Sequence, residues 1–198
     1  MTTLSPLTRG MLWAMLGAKV LGAWGLRWDI QWHLRIGRDS FWIAPHVMTY
    51  VSVALVVMLS FGLLAVETAR HRSAQVSWPM VRTLGLVGTR GAYLAAWGIA
   101  LTVLAAPIDD LWHRLFGIDG TLWSPPHLLG LAGAAVNSHG CLLLAREIYP
   151  HGGRAALAAA RVTGVRGAPL GVAVVAAVIG LSGDVVAHVG FAALQPVA

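Results

Sequence analysis

Charge is scarce in this sequence. Only 11% of its 198 residues are Asp, Glu, Lys or Arg, against about a quarter in an ordinary soluble domain, which argues against a water-soluble fold. Cysteine is scarcer still: Cys141 stands alone inside an apolar run. Neither a disulfide framework nor a thiolate cluster can then be built within one chain, and a bound metal must take nitrogen and oxygen ligands. Lysine is reduced to Lys19, so the formal charge of +6 comes from arginines. These are scattered through short connecting segments and form neither a patch nor a tail, which argues against a nucleic-acid partner. The six methionines are dispersed and offer no thioether cluster.

What remains is long apolar runs. Stretches able to cross a hydrocarbon core of about 30 Å fall at roughly residues 10–33, 46–68, 90–114, 126–148 and 169–192. They predict an all-α fold, a polytopic membrane bundle of five transmembrane helices forming one domain over residues 1–198. Arg9 ahead of the first run gives it the look of a signal peptide. Lys19 interrupts that run, however, and no small-x-small motif precedes the Trp-rich segment, so it reads as a true span.

Arg9, Arg70, Arg72, Arg82, Arg90, Arg146, Arg154, Arg161 and Arg166 fall on one side of the expected membrane, and Arg27, Arg35, Arg38 and Arg114 on the other. The positive-inside rule then gives an inside N-terminus and an outside C-terminus, in a bacterial-type inner membrane. Trp24, Trp28, Trp32, Trp42, Trp112 and Trp123 gather near the expected outer interface, where indole rings anchor at the headgroup layer.

The chain repeats itself. Asp29, Trp32 and His33, then Gly37, Asp39, Trp42, Pro45 and His46, recur as Asp109, Trp112 and His113, then Gly117, Asp119, Trp123, Pro126 and His127. Each copy is an Asp-x3-His at the end of one span, a short outer connection, and a His opening the next span. The bundle is therefore expected to be two repeated helical hairpins plus a fifth helix. A third Asp-x3-His, Asp184 to His188, ends the fifth run without a following hairpin.

Residues four apart on a helix share a face and stand about 5.4 Å apart, so each pair can chelate one ion. Spans one, three and five run in the same direction, which sets the three pairs at similar depth, and His46 and His127 return to that depth. An ionised Asp within the bilayer costs about 2.5–3.5 kcal/mol even on the lenient insertion scale, so something should offset it. The helix dipole opposes negative charge at Asp29, Asp109 and Asp184, near C-termini, and opposes imidazolium at His46 and His127, near N-termini. Neutral imidazole and carboxylate beside a cation satisfy both conditions. Pro45 and Ser124-Pro125-Pro126 set these two histidines in first helical turns, with Ser124 able to cap. Asn137 and His139 lie about 15–18 Å deeper than His127 and read as polar residues that pack helices. The same packing role, or pairing with Arg27, Arg35, Arg38 or Arg114, is the alternative for the Asp-x3-His motifs.

With Asp29-x3-His33-x12-His46, Trp32 before the first histidine, and Arg38-Asp39 followed by an aromatic, the chain resembles the C subunit of the particulate methane and ammonia monooxygenases, the copper membrane monooxygenase family. A similar Asp, His, His set binds copper in that subunit. Asp109-x3-His113-x13-His127 is similar to the family's second copper site, including its one-residue-longer spacing. The resemblance covers roughly residues 27–50 and 107–131. It implies copper at both sets, dioxygen as oxidant, a small apolar substrate and a quinol reductant. It also implies a homo-oligomeric or hetero-oligomeric membrane complex. Where the family's second site looks like Asn, His, His, this chain has Asp109, which adds a negative charge. It also contains none of the soluble cupredoxin-like domain that another subunit of the family supplies.

The residues themselves leave the metal open among copper, zinc and iron, since imidazole suits all three. They are equally compatible with a copper-handling membrane protein, a zinc-dependent membrane hydrolase, or a structural subunit without metal.

Overall fold

The computed structural model describes residues 5–36, 40–73, 80–117 and 123–149. The expected fifth span, with Asp184 and His188, lies outside the described residues, as do Gly37, Arg38, Asp39 and Asp119. Within them the chain forms α1 (Pro6–Arg35), α2 (Ala44–Arg72), β1 (Val81–Thr83), β2 (Leu86–Gly88), α3 (Arg90–Phe116) and α4 (Pro125–Ile148). The four helices match the first four expected spans. By length and composition, α2, α3 and α4 are able to cross a membrane. α1 is the longest at 30 residues but stands outside that group, because Arg9, Lys19, Arg27, Asp29 and Arg35 dilute its apolar character.

Each helix starts where local chemistry favours it. Ser5 caps α1, its hydroxyl accepting from the Thr8 N–H at 3.2 Å, and Pro6 opens the first turn. Thr89 caps α3 by accepting from Ala92 N–H at 3.3 Å. Two carboxylates also meet the start of α3: Glu67 of α2 accepts from Thr89 N–H at 2.7 Å, and Glu147 of α4 from Gly91 N–H at 3.2 Å. They satisfy amides that the first helical turn leaves open and face the positive end of its dipole. Ser124, expected to cap α4, occupies the N-cap position but makes no capping bond; its hydroxyl is buried without a partner among the described residues.

α1 packs against α2, and α3 against α4, as two antiparallel hairpins. The second is drawn tight by small residues: a methyl group at Gly98 would overlap the Asn137 backbone nitrogen. Close backbone approach of this kind is the usual basis of helix pairing in lipid. Between α1 and α2, Ser52 donates to the Ala18 carbonyl at 2.7 Å. The two hairpins join through a core of Leu12, Met15, Leu16, Leu63, Leu64 and Leu144 with smaller neighbours. That core lies toward the end of the bundle that holds the β-hairpin, opposite the repeated motifs. Lys19 ties the hairpins together by donating to Asn137 Oδ1 at 2.8 Å, while Asn137 donates to the Ala95 carbonyl at 2.7 Å. Asn137 thus has the packing role expected of it, while His139 is exposed on α4 among the described residues.

The connection between the second and third spans was expected to be a basic loop, and it contains the antiparallel pair β1–β2. Tertiary contacts hold it. Val87 N–H donates to Thr68 Oγ1 at 2.9 Å, and the Tyr93 hydroxyl accepts from Thr83 N–H at 3.1 Å and donates to the Leu86 carbonyl at 2.7 Å. Its turn residues Leu84 and Gly85 have φ of 53° and 77°, the sense that matches the twist of a two-residue hairpin.

Candidate metal centres

The helix phase brings the first motif together, and the turn of the first hairpin completes it. Asp29 and His33 lie one turn apart near the end of α1, and His46 is in the first turn of α2. Asp29 Oδ1 is 2.9 Å from His46 Nε2 and 3.4 Å from His33 Nδ1, and the two imidazoles lie 5.9 Å apart between centroids. In the second motif Asp109 Oδ1 is 3.3 Å from His127 Nε2 and 3.8 Å from His113 Nε2, with centroids 6.1 Å apart. In each trio one ligand atom per residue lies within 4.8 Å of the others. Two ligands about 2.0–2.1 Å from a common ion lie roughly 2.9–3.4 Å apart at bond angles from square to tetrahedral. The His46 and His127 separations fall in that range and the His113 separation needs a closure of a few tenths of an ångström, while the His33 separation is taken at Nδ1, the nitrogen that faces the Asp29 carbonyl.

The outer hydrogen bonds set the ring orientations. His46 Nδ1 lies 3.0 Å from the Ser40 carbonyl, and His33 Nδ1 lies 2.9 Å from the Asp29 carbonyl. A carbonyl oxygen only accepts, so in both rings Nδ1 carries the proton and Nε2 is the nitrogen that presents a lone pair or a second proton. His46 Nε2 faces the Asp29 carboxylate at 2.9 Å, and two lone pairs at that separation repel. A cation between them, metal or proton, removes the repulsion. Asp109 Oδ1 points the same way: it is closed off from solvent and accepts no hydrogen bond among the described residues. A ligating histidine whose other nitrogen is held by a carbonyl is the usual arrangement around protein-bound metals. The donor sets therefore fit a metal ion.

The neighbouring Asp110 is separated from this arrangement by one helical step. Its carboxylate takes Arg114 Nε at 2.8 Å, with both side chains more than 60% exposed, which makes it a surface pair of little energetic weight. Asp29 and Asp109 both pair with histidines among the described residues.

Sequence reasoning missed two participants. The Ser40 carbonyl carries no side-chain signal. Tyr50, whose ring is 5.9 Å from His46 and 5.0 Å from Phe41, was within reach of the four-residue rule that found the metal pairs, and the corresponding position after His127 is Leu131. Trp24, Trp42 and Trp123 are exposed at this end, as expected of interfacial anchors. Compared with protein-family models, curated proteins and solved structures, the chain gives no match.

Proposed function

We propose that this chain is an integral membrane protein that binds copper at two sites, Asp29, His33, His46 and Asp109, His113, His127, and that it belongs to an oxidising membrane complex. The observation that carries the reading is the repetition. Two separate helical hairpins bring one Asp and two His within 4.8 Å of one another at the same end of the bundle, and chance pairing of polar groups for helix packing gives no reason for the second copy. Copper is chosen on the resemblance of both spacings to the copper membrane monooxygenase family. In that reading α1 and the run at 169–192 also cross the bilayer, the N-terminus is inside, and the sites face outward in a bacterial-type inner membrane.

When bound, copper would supply one-electron redox chemistry and an open position for dioxygen, so that oxygen could be inserted into a small apolar substrate with a quinol as reductant. The chain's own residues supply the rest. Asp29 and Asp109 provide the negative charge that retains a cation within the apolar layer. The Ser40 carbonyl fixes the His46 ring, and Phe41 and Tyr50 wall one side of the first site against water.

The test is metal analysis of the purified protein with electron paramagnetic resonance. It is followed by incubation in lipid with quinol, ¹⁸O₂ and a panel of small apolar substrates, for the isolated chain and for its native complex. Two coppers per chain and labelled product support the full reading. Two coppers without oxygen consumption in either preparation leave a copper-handling protein. Zinc in place of copper favours the hydrolase reading, for which two imidazoles and one carboxylate are also a known catalytic ligand set.

A further inference from the structure

The end of the bundle away from the metal centres carries a second feature. Between α2, α3 and the β-hairpin lies an apolar recess of about 80 Å³, lined by Phe61, Leu64, Leu84, Leu86, Tyr93 and Trp97 among others. Phe61 and Trp97 are exposed on α2 and α3, so among the described residues the recess opens outward and not into the bundle. Leu84, at the tip of the hairpin, is 81% exposed. A bare leucine at a turn tip is costly in water, and its exposure is accounted for if the tip lies in the bilayer surface.

The charge around the recess identifies the kind of lipid. On α2, Phe61, Thr68 and Arg72 fall on one face, which sets Arg72 about 16 Å beyond Phe61 toward the helix end. On α3, Arg90, Tyr93 and Trp97 fall on one face, with Arg90 about 10 Å from Trp97 in the same direction. Apolar groups thus line the recess, and two exposed arginines follow it toward the helix ends. We infer that this recess, with Leu84 as its lip and Arg72 and Arg90 at its polar end, is a binding site for one anionic phospholipid of the adjacent leaflet. The acyl chain lies along Phe61 and Trp97, and the phosphate is held by the arginines, whose planar donors suit phosphate oxygens. This site is independent of any metal.

Native mass spectrometry of the full chain released from bilayers of equal phosphatidylglycerol and phosphatidylcholine tests it. The expected result is one phosphatidylglycerol retained per chain in preference to phosphatidylcholine. Arg72→Gln/Arg90→Gln should reduce that preference roughly thirty-fold, given the usual contribution of each basic residue at an anionic surface. Arg9→Gln/Arg146→Gln, which removes the same charge from the α1 and α4 side, should leave it within about threefold. Leu84→Asp, with every arginine kept, should also lower retention. Arg72, Arg90, Arg146 and Leu84 are exposed and Arg9 is half-buried, and an unchanged helical circular dichroism signal confirms that the variants fold. Equal retention of the two lipids would overturn the site. So would equal loss in both arginine pairs, which means diffuse charge only, or full retention by Leu84→Asp. Displacement of the bound lipid by soluble glycerol phosphate would show a headgroup site that does not use the apolar recess, and would overturn the inference as well.

Discussion

Lys19 and Asn137 join the two helical hairpins across 118 residues of sequence, and breaking that link has a calculable cost. Asn137→Leu keeps a similar shape but removes the acceptor that the Lys19 ammonium reaches at 2.8 Å and the donor to the Ala95 carbonyl at 2.7 Å. A hydrogen bond to a charged group contributes about 1.5–3 kcal/mol and a neutral one about 0.5–1.5 kcal/mol. Within membranes the neutral bond belongs near the low end, about 0.6 kcal/mol. The Ala134 carbonyl, at 3.5 Å from the ammonium, is too distant to take over. The single variant should therefore lose about 2–4 kcal/mol. Lys19→Met removes the ammonium together with its cost of burial and should lose only about 0.5–2 kcal/mol. The double variant should be more stable than the sum of the two by about 0.5–3 kcal/mol, because no unpaired charge is left behind. Reversible unfolding in mixed micelles with increasing sodium dodecyl sulfate, followed by far-ultraviolet circular dichroism, measures all four proteins. Losses that add to within about 0.5 kcal/mol, or an Asn137→Leu variant as stable as the parent, would refute the link.

Two further outcomes are expected. His33→Ala and His113→Ala should each remove one metal ion per chain with the helical content unchanged, while Asp110→Asn, which touches only the exposed Arg114 pair, removes none; elemental analysis of the purified variants decides, and loss of all metal in both histidine variants would mean a single shared site. A cysteine introduced at Ser73, exposed at the end of α2, should react with a membrane-impermeant maleimide only from the cytoplasmic side and one at Trp42 only from the other, since Cys141 is fully buried and gives no background; the reverse pattern would invert the proposed topology.

The sequence was informative wherever one short-range rule governs the outcome. Apolar runs placed the four described helices to within a few residues, because a chain in lipid must satisfy its backbone internally. The four-residue spacing also selected Asp109 over Asp110, since His113 and Arg114 divide the two carboxylates between opposite neighbours. It did not reveal that the Ser124 hydroxyl makes no capping bond. Nor did it distinguish Asn137, which turns inward to Lys19, from His139, which is two residues and about half a turn away and faces outward.

Composition and periodicity alone determined that this is a helical chain suited to a membrane, with a repeated motif that sets a carboxylate and an imidazole at one end of each hairpin's first helix. Those properties follow from local spacing, and local spacing is what a sequence records. The tertiary structure decided the rest. The turn of each hairpin carries His46 to Asp29 and His127 to Asp109, and contact with Thr68 and Tyr93 folds a basic connection into β1–β2. Lys19 finds Asn137 only when the second hairpin packs on the first. Each of these joins residues whose separation along the chain carries no period to read, so their meeting depends on how rigid helices pack and where the chain turns.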